Sequence, residues 1–272
     1  MVEKDKGGKM QVVLLCGGTG TRLKEMTEYL PKPLIPIGGK PMITHIMKTY
    51  SHYGFSEFVL ALGYKQEAFK QYFEHYDIIN SDITIDIGIL FGGRKNHSDH
   101  SDIDDWTVTM SDTGEHTLKG GRLNRIKKYI KGDTFFLSYG DSIGDINIRE
   151  LLDFHNKHGK MVTVTGVQHP PRFGEIQRDN NKVVSFSEKQ SESECLINAG
   201  YFVMNTKIFD YLYDDCDLEK GVLEQIATEG EMMVYHHKGY WGCMDTLSDM
   251  IKLQELWDSG KVPWAKESNN VQ

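Results

Sequence analysis

The chain has only four cysteines in 272 residues, Cys16, Cys195, Cys216 and Cys243, and none forms a Cys-x-x-Cys pair. This scarcity excludes a disulfide framework and a cysteine zinc site, and it fits a reduced, cytoplasmic setting. Positive charge is also short, with 31 Lys and Arg against 39 Asp and Glu and a net charge of −8. No nucleic-acid or anionic-membrane surface is expected from that balance, so any phosphate must be met by local basic residues. No apolar run approaches a membrane span, and residues 1–9 are polar and charged where a signal would be apolar. They read as a disordered or tag-like lead to a soluble, unprocessed protein. No internal repeat, low-complexity tract or Pro- or Ser-rich linker interrupts the remainder, which is long enough for one large α/β domain or two small ones, and nothing forces a second domain.

Against that background one stretch stands out. An apolar strand ending at Leu15 and Cys16 runs into Gly17-Gly18-Thr19-Gly20-Thr21-Arg22-Leu23, and Pro31-Lys32-Pro33 follows. Glycines allow positive φ and close approach of backbone N–H groups to an oxyanion. Arg22 adds a planar, permanently charged fork, and Lys32 a compact charge. Pro31 and Pro33 restrict the backbone on either side of the lysine. The pattern reads as a triphosphate cradle. It is not a dinucleotide fingerprint, which needs a glycine where Leu23 stands, nor an ATPase loop, which needs Gly-Lys followed by Ser or Thr.

The rhythm of elements is βαβ, which predicts a mostly parallel sheet. Strands are expected over 11–16, 58–62, 83–89, 106–110, 134–139 and 161–167, and helices over 41–53, 66–76, 122–130 and 148–158. The polar 92–105 stretch should be a loop. Its His97, Asp99, His100, Asp102, Asp104 and Asp105 lack helical spacing and read as a solvated loop or subunit contact, not a second metal site. After 168 the pattern shifts to short strands over 174–177, 183–186 and 197–204, then helices over 207–212, 218–228 and 247–257. His236 and His237 read as the end of a strand.

Two carboxylates are candidate ligands for a divalent cation between anionic reactants. Asp141 follows a strand and Gly140, at the carboxyl end where open α/β sheets collect ligands. Asp245 lies just before the helix expected over 247–257 and serves equally well as a plain N-cap. Lys119-Gly120-Gly121-Arg122-Leu123 is a glycine pair at a helix start, able either to lie along a flat ring or simply to begin the helix.

Taken together these motifs resemble the sugar-phosphate nucleotidyltransferases, and within them the glucose-1-phosphate cytidylyltransferases. The likeness runs through Gly38-Gly39-Lys40-Pro41, Asp112-Thr113-Gly114, Gly120-Gly121-Arg122-Leu123, Tyr139-Gly140-Asp141, Arg172-Phe173-Gly174, Glu188-Lys189, Ile197-Asn198-Ala199-Gly200 and Met244-Asp245-Thr246. It implies a Rossmann-like, GT-A-like mixed sheet flanked by helices, with a small β-rich substrate-binding elaboration. One domain over 10–272 would divide into a nucleotide-binding half, 10–167, and a sugar-phosphate-binding half, 168–272.

The resemblance implies transfer of a cytidylyl group from CTP to a sugar 1-phosphate, chiefly glucose 1-phosphate, with release of pyrophosphate. Mg²⁺ would sit on Asp141 and Asp245. Arg22 and Lys32 would act with Asp141 in catalysis, and Gly17 to Arg22 with Gly120 and Gly121 would bind nucleotide. Lys32, Tyr139, Glu188, Lys189, Asn198 and Gly200 would bind the acceptor. A homo-oligomer is implied, and relatives suggest a hexamer. Gln190 departs from the family pattern, where proline follows Glu-Lys, and Cys16 stands where alanine is common. The first departure keeps open another phosphorylated acceptor, of phosphocholine or phospho-amino acid type. A catalytically silent subunit that binds nucleotide sugars would be expected to lack Arg22, Lys32, Asp141 or Asp245, and all four are present.

Overall fold

The computed structural model describes residues 10–85, 94–96, 104–168, 175–187 and 195–265. Its centre is a sheet of seven strands: β1 (Gln11–Leu15), β2 (Glu57–Leu62), β3 (Thr107–Asp112), β4 (Thr134–Tyr139), β5 (Val162–Gln168), β6 (Leu196–Asn205) and β7 (Met232–His237). Their order across the sheet is β7-β5-β6-β4-β1-β2-β3. Strand β6 runs antiparallel to both its neighbours, and every other pairing is parallel. This is the mixed, mostly parallel α/β sheet expected from the sequence.

The inner strands are apolar without interruption because both faces are covered. On β1, Val12 and Leu14 face one hydrophobic cluster and Val13 the other. Helix α1 (Met42–His52) presents Ile43, Ile46, Met47 and Tyr50 to the first cluster, where the Tyr50 and Phe136 rings lie 5.3 Å apart. Helix α2 (Gln66–Glu74) follows β2 and buries Phe69. Helix α3 (Lys119–Ile126) packs Leu123 and Ile126 into the second cluster against Phe135 and Leu137. Burying each such side chain contributes roughly 1.5–3 kcal/mol. Helix α4 (Ile148–His158) begins with the Asn147 side chain accepting from Glu150 N at 3.2 Å and ends at Gly159 with φ +65°. Helix α5 (Leu247–Asp258) closes the second half. Among the described residues no helix is long and apolar enough to cross a membrane.

Three sequence expectations need correction. Helix α3 starts at Lys119, at the glycine pair read as a helix start, and gives way after Ile126 to a 3₁₀ turn over Lys127–Tyr129, where the pattern pointed to one helix over 122–130. Its glycines are tolerated inside the first turn because the 215–217 backbone presses on them. A Cβ on Gly120 would meet Cys216 O at 2.8 Å, and one on Gly121 would meet Asp215 N at 2.8 Å. Close packing therefore outweighs the poor helix propensity of glycine. Within the expected 92–105 loop, Arg94–Asn96 pairs as a short strand with Ile83–Ile85. Asp104 at its end accepts from the Tyr76 hydroxyl at 2.7 Å, while His97, Asp99, His100 and Asp102 lie outside the described residues. Finally, the 218–228 helix is broken: Lys220 is extended and Gly221 has φ +93°. Only Glu224–Thr228 is α-helical.

Candidate active site

The segments that leave the carboxyl ends of β1, β3 and β4, together with Asp217, Glu219, Lys220 and Asp245, line a cavity of about 610 Å³. The glycine loop leaves β1. Gly17 is buried, Gly18 and Thr19 are exposed, and Gly20 turns with φ +63°. A side chain on Gly20 would press on Thr27, 2.7 Å away, and on the Lys32 Cβ, 3.3 Å away. That glycine therefore gives Lys32 its room. Lys32 opens a single 3₁₀ turn, Lys32–Leu34, whose first hydrogen bond runs from Leu34 N to Pro31 O at 2.8 Å.

At the floor of the cavity the Lys32 Nζ donates to Asp141 Oδ2 at 2.8 Å and to Asp245 Oδ1 at 2.7 Å. These aspartates lie 109 and 213 residues along the chain from it. A two-stranded ladder, Ser142–Gly144 with Trp241–Cys243, joins the two loops, and Met244 N donates to Asp141 O at 2.9 Å. Arg22 Nη1 reaches the second oxygen of Asp245 at 2.5 Å. Asp245 is not the cap of α5. Thr246 takes that role in a capping box with Asp249, which leaves the Asp245 carboxylate to the cavity.

The structure brings together Gly17, Gly18, Gly20, Thr21, Arg22, Lys32, Tyr139, Asp141 and Asp245 as cavity lining. Thr19 does not line the cavity, and neither do Gly120 and Gly121, which lie behind it against 215–217. Here the neighbouring Thr117, Leu118, Lys119 and Arg122 form the wall instead. Asn198 and Gly200, on β6, do not line the cavity but adjoin Tyr139, which does: Asn198 Nδ2 donates to its hydroxyl at 3.4 Å, and a Cβ on Gly200 would come 2.9 Å from its ring. Glu188 and Lys189, like Arg172-Phe173-Gly174, lie outside the described residues.

Residues 11–258 match the nucleotidyl transferase family. The chain belongs to that family. It is 41% identical over 257 residues to the glucose-1-phosphate cytidylyltransferase of Salmonella typhi, across 94% of this chain and 98% of the other. The same enzyme of Salmonella typhimurium matches with the same identity and coverage, 41%, 94% and 98%. Among solved structures, HddC from Yersinia pseudotuberculosis shares the fold, with a TM-score of 0.65 at 23% identity over 91% of this chain and 99% of that one.

Nucleotidyl transferases generally use a divalent metal, and the donor set here fits one. Two carboxylates already converge on a single cationic point, held by the Lys32 ammonium. Among the described residues no third His, Cys, Asp or Glu completes a protein cage. Such an all-oxygen, two-carboxylate site suits a small hard cation that takes its remaining ligands from phosphate and water. Burial disfavours the Lys32 charge, but Asp141 and Asp245 outweigh it and raise the pKa above the ordinary lysine value. The lysine is therefore fully charged at neutral pH.

Arg122 and Lys119 flank the glycine pair read from the sequence but were given no role of their own there, and a segment from the second half was not singled out. Arg122 is buried, and its guanidinium donates to Gly17 O (2.9 Å), Leu62 O (3.1 Å), Gly114 O (2.7 Å), Glu115 O (2.9 Å) and Thr113 Oγ1 (2.9 Å). It ties the glycine loop to the ends of β2 and β3. Asp217, Glu219 and Lys220 form the opposite wall of the cavity. The one signal for them was Gly221 inside an otherwise helical stretch, a break that turns Lys220 out of the helix. Cys16 is inert by position, since burial and then Asp141 push its thiol far above the usual range.

Proposed function

We propose that this nucleotidyl transferase is a cytidylyltransferase that joins CTP to glucose 1-phosphate, giving CDP-glucose and pyrophosphate. The observation that carries this reading is the convergence of Lys32, Asp141 and Asp245 beneath the glycine loop, in a chain 41% identical to glucose-1-phosphate cytidylyltransferase.

In the reaction an acceptor phosphate oxygen attacks the α-phosphorus of CTP. The new P–O bond forms as the bond from the α-phosphorus to the oxygen of pyrophosphate breaks. No side-chain nucleophile is needed, because the acceptor phosphate is already ionised, so the residues act by position and charge. The N–H groups of Gly17 to Thr21 cradle the triphosphate, and the exposed Arg22 fork is assigned to the departing β and γ phosphates. Lys32 is assigned to the α-phosphate and the incoming oxygen. Asp141 and Asp245 would hold Mg²⁺, which supplies charge neutralisation and orientation of the phosphates when bound. Tyr139, Asn198 and Gly200, with Glu188 and Lys189, are assigned to the acceptor. We read the protein as a cytoplasmic homo-oligomer whose first half binds nucleotide and whose second half binds the sugar phosphate.

The test is pyrophosphate release with glucose 1-phosphate and Mg²⁺ across CTP, UTP, dTTP, ATP and GTP. Turnover with CTP far above the others is the expected result. Preference for another nucleotide, or no turnover with CTP, would overturn the proposal.

A further inference from the structure

We propose that Glu219 reads a hydroxyl of the acceptor's sugar ring and so helps decide which sugar 1-phosphate is used. This rests on the reaction proposed above and adds a specificity residue to it.

Glu219 is held by a rigid local device. The Asp217 carboxylate accepts from Glu219 N and Lys220 N, both at 2.9 Å, and caps the turn before it. Gly221, with φ +93°, then stops the helix and keeps Glu219 and Lys220 turned towards the cavity. The Glu219 carboxylate accepts a hydrogen bond from the Tyr139 hydroxyl at 2.6 Å and is paired with the Lys119 ammonium. Both contacts fall on Oε1. The side chain keeps a third of its surface exposed, at 33%, so a ligand can reach it.

Its neighbours point to the sugar side of the cavity. Tyr139 ends β4, whose partner β6 carries Asn198, and Asn198 donates to the same hydroxyl that Glu219 accepts from. Asn198 on β6 and Tyr139 on β4 thus form a row that Glu219, from the 218–223 segment, extends, whereas the glycine loop and Arg122 lie over β1, β2 and β3. The Tyr139 ring is fixed in place: a Cβ on Gly200 would come 2.9 Å from it, and the Lys119 Nζ stands 4.2 Å over its centroid. An amide, a phenol and a carboxylate in one fixed row match the alternating donors and acceptors of adjacent sugar hydroxyls. A carboxylate set against a hydroxyl strongly disfavours a ring that presents that hydroxyl elsewhere.

Two variants and two readouts test this. Glu219→Gln keeps shape and weakens the charge-assisted hydrogen bond. Lys119→Met removes the ion pair and leaves the carboxylate. In steady-state assays Glu219→Gln should raise KM for glucose 1-phosphate about tenfold. It should narrow the preference over galactose 1-phosphate and leave KM for CTP unchanged. In calorimetry its preference for CDP-glucose over CDP should fall about tenfold relative to the wild type. Lys119→Met should retain sugar selectivity. Unchanged selectivity in Glu219→Gln would overturn the proposal. So would a change in discrimination between CTP and dCTP, which would assign Glu219 to the ribose, or a Lys119→Met variant that reproduces the whole effect. A wild type that fails to turn over CTP with glucose 1-phosphate, yet binds CDP-glucose better than CDP through Glu219, would overturn the reaction and support this residue's role. A wild type that binds both equally would overturn the role itself.

Discussion

Arg122 donates through Nη2 to the carbonyl oxygen of Gly17 at 2.9 Å, and its guanidinium occupies the space where a side chain on that glycine would stand. A Cβ at Gly17 would lie 2.0 Å from Nη1. The two glycine motifs of the sequence, 105 residues apart at this contact, are therefore one physical unit. The first glycine of the loop is required by the packing of an arginine, whatever the loop binds.

Adjacent glycines should consequently fail in different ways. Gly17→Ala must displace the buried guanidinium, and overpacking of this kind costs about 1–3 kcal/mol, so its thermal midpoint should drop. At Gly18 a Cβ meets nothing within 4 Å, so Gly18→Ala should melt like the wild type. If the Gly18 backbone approaches phosphate, that variant should still show a raised KM for CTP. Equal melting temperatures for the two variants would refute the packing argument.

Arg122→Lys should be far from conservative. An ammonium cannot reach all four carbonyls that the guanidinium serves; Leu62 O keeps Thr113 N and Gly17 O keeps Tyr64 N, but Gly114 O and Glu115 O lose this donor, and a buried carbonyl left without one costs about 1–3 kcal/mol. Chemical denaturation should show reduced stability, and CTP affinity should fall with it because the glycine loop loses its anchor. Wild-type stability in this variant would show that the network is dispensable.

Lys32→Ala should lower kcat by on the order of 10² or more, as for loss of a preorganised charge partner. It also leaves Asp141 and Asp245 facing each other without their shared cation. Asp141→Asn should abolish turnover with a smaller loss of acceptor binding. A near-normal rate in either variant, measured by pyrophosphate release, would remove that residue from the mechanism.

Stability should fall in mild acid through His155. Burial, then the nearby His158, lowers its pKa from 6.5 to about 4. Both rings meet the single hydroxyl of Thr163, His155 Nδ1 at 2.8 Å and His158 Nε2 at 2.7 Å. The unfolded chain takes up this proton below 6.5, while the folded chain does so only near 4. Stability from this group is thus complete above pH 6.5 and is lost as pH falls towards 4. His155→Gln should flatten the unfolding midpoint across that window. An unchanged slope would assign the acid sensitivity to other groups.

Much of the fold was legible because its signals are local. The strands over 11–15, 57–62 and 134–139 are apolar runs bounded by turns, and α4 occupies the expected 148–158. The glycine pair of α3 was read as a helix start, but the reason for it lies in the distant 215–217 backbone. The break at Gly221 was missed because a lone glycine within apolar periodicity resembles a tolerated helical residue.

The chemistry divides along the same line. By itself the sequence determined the residue types suited to phosphate and a metal, since the glycine loop, Arg22, Lys32, Asp141 and Asp245 carry their chemistry in their side chains and local backbone. Only the tertiary structure decided that Asp245 faces the cavity and not the helix it precedes, because Thr246 takes the cap. It alone placed Arg122 beneath the loop and Glu219 beside Tyr139. Those contacts arise from strand order, which brings distant chain ends to one edge of the sheet, and spacing along the chain carries no record of that order.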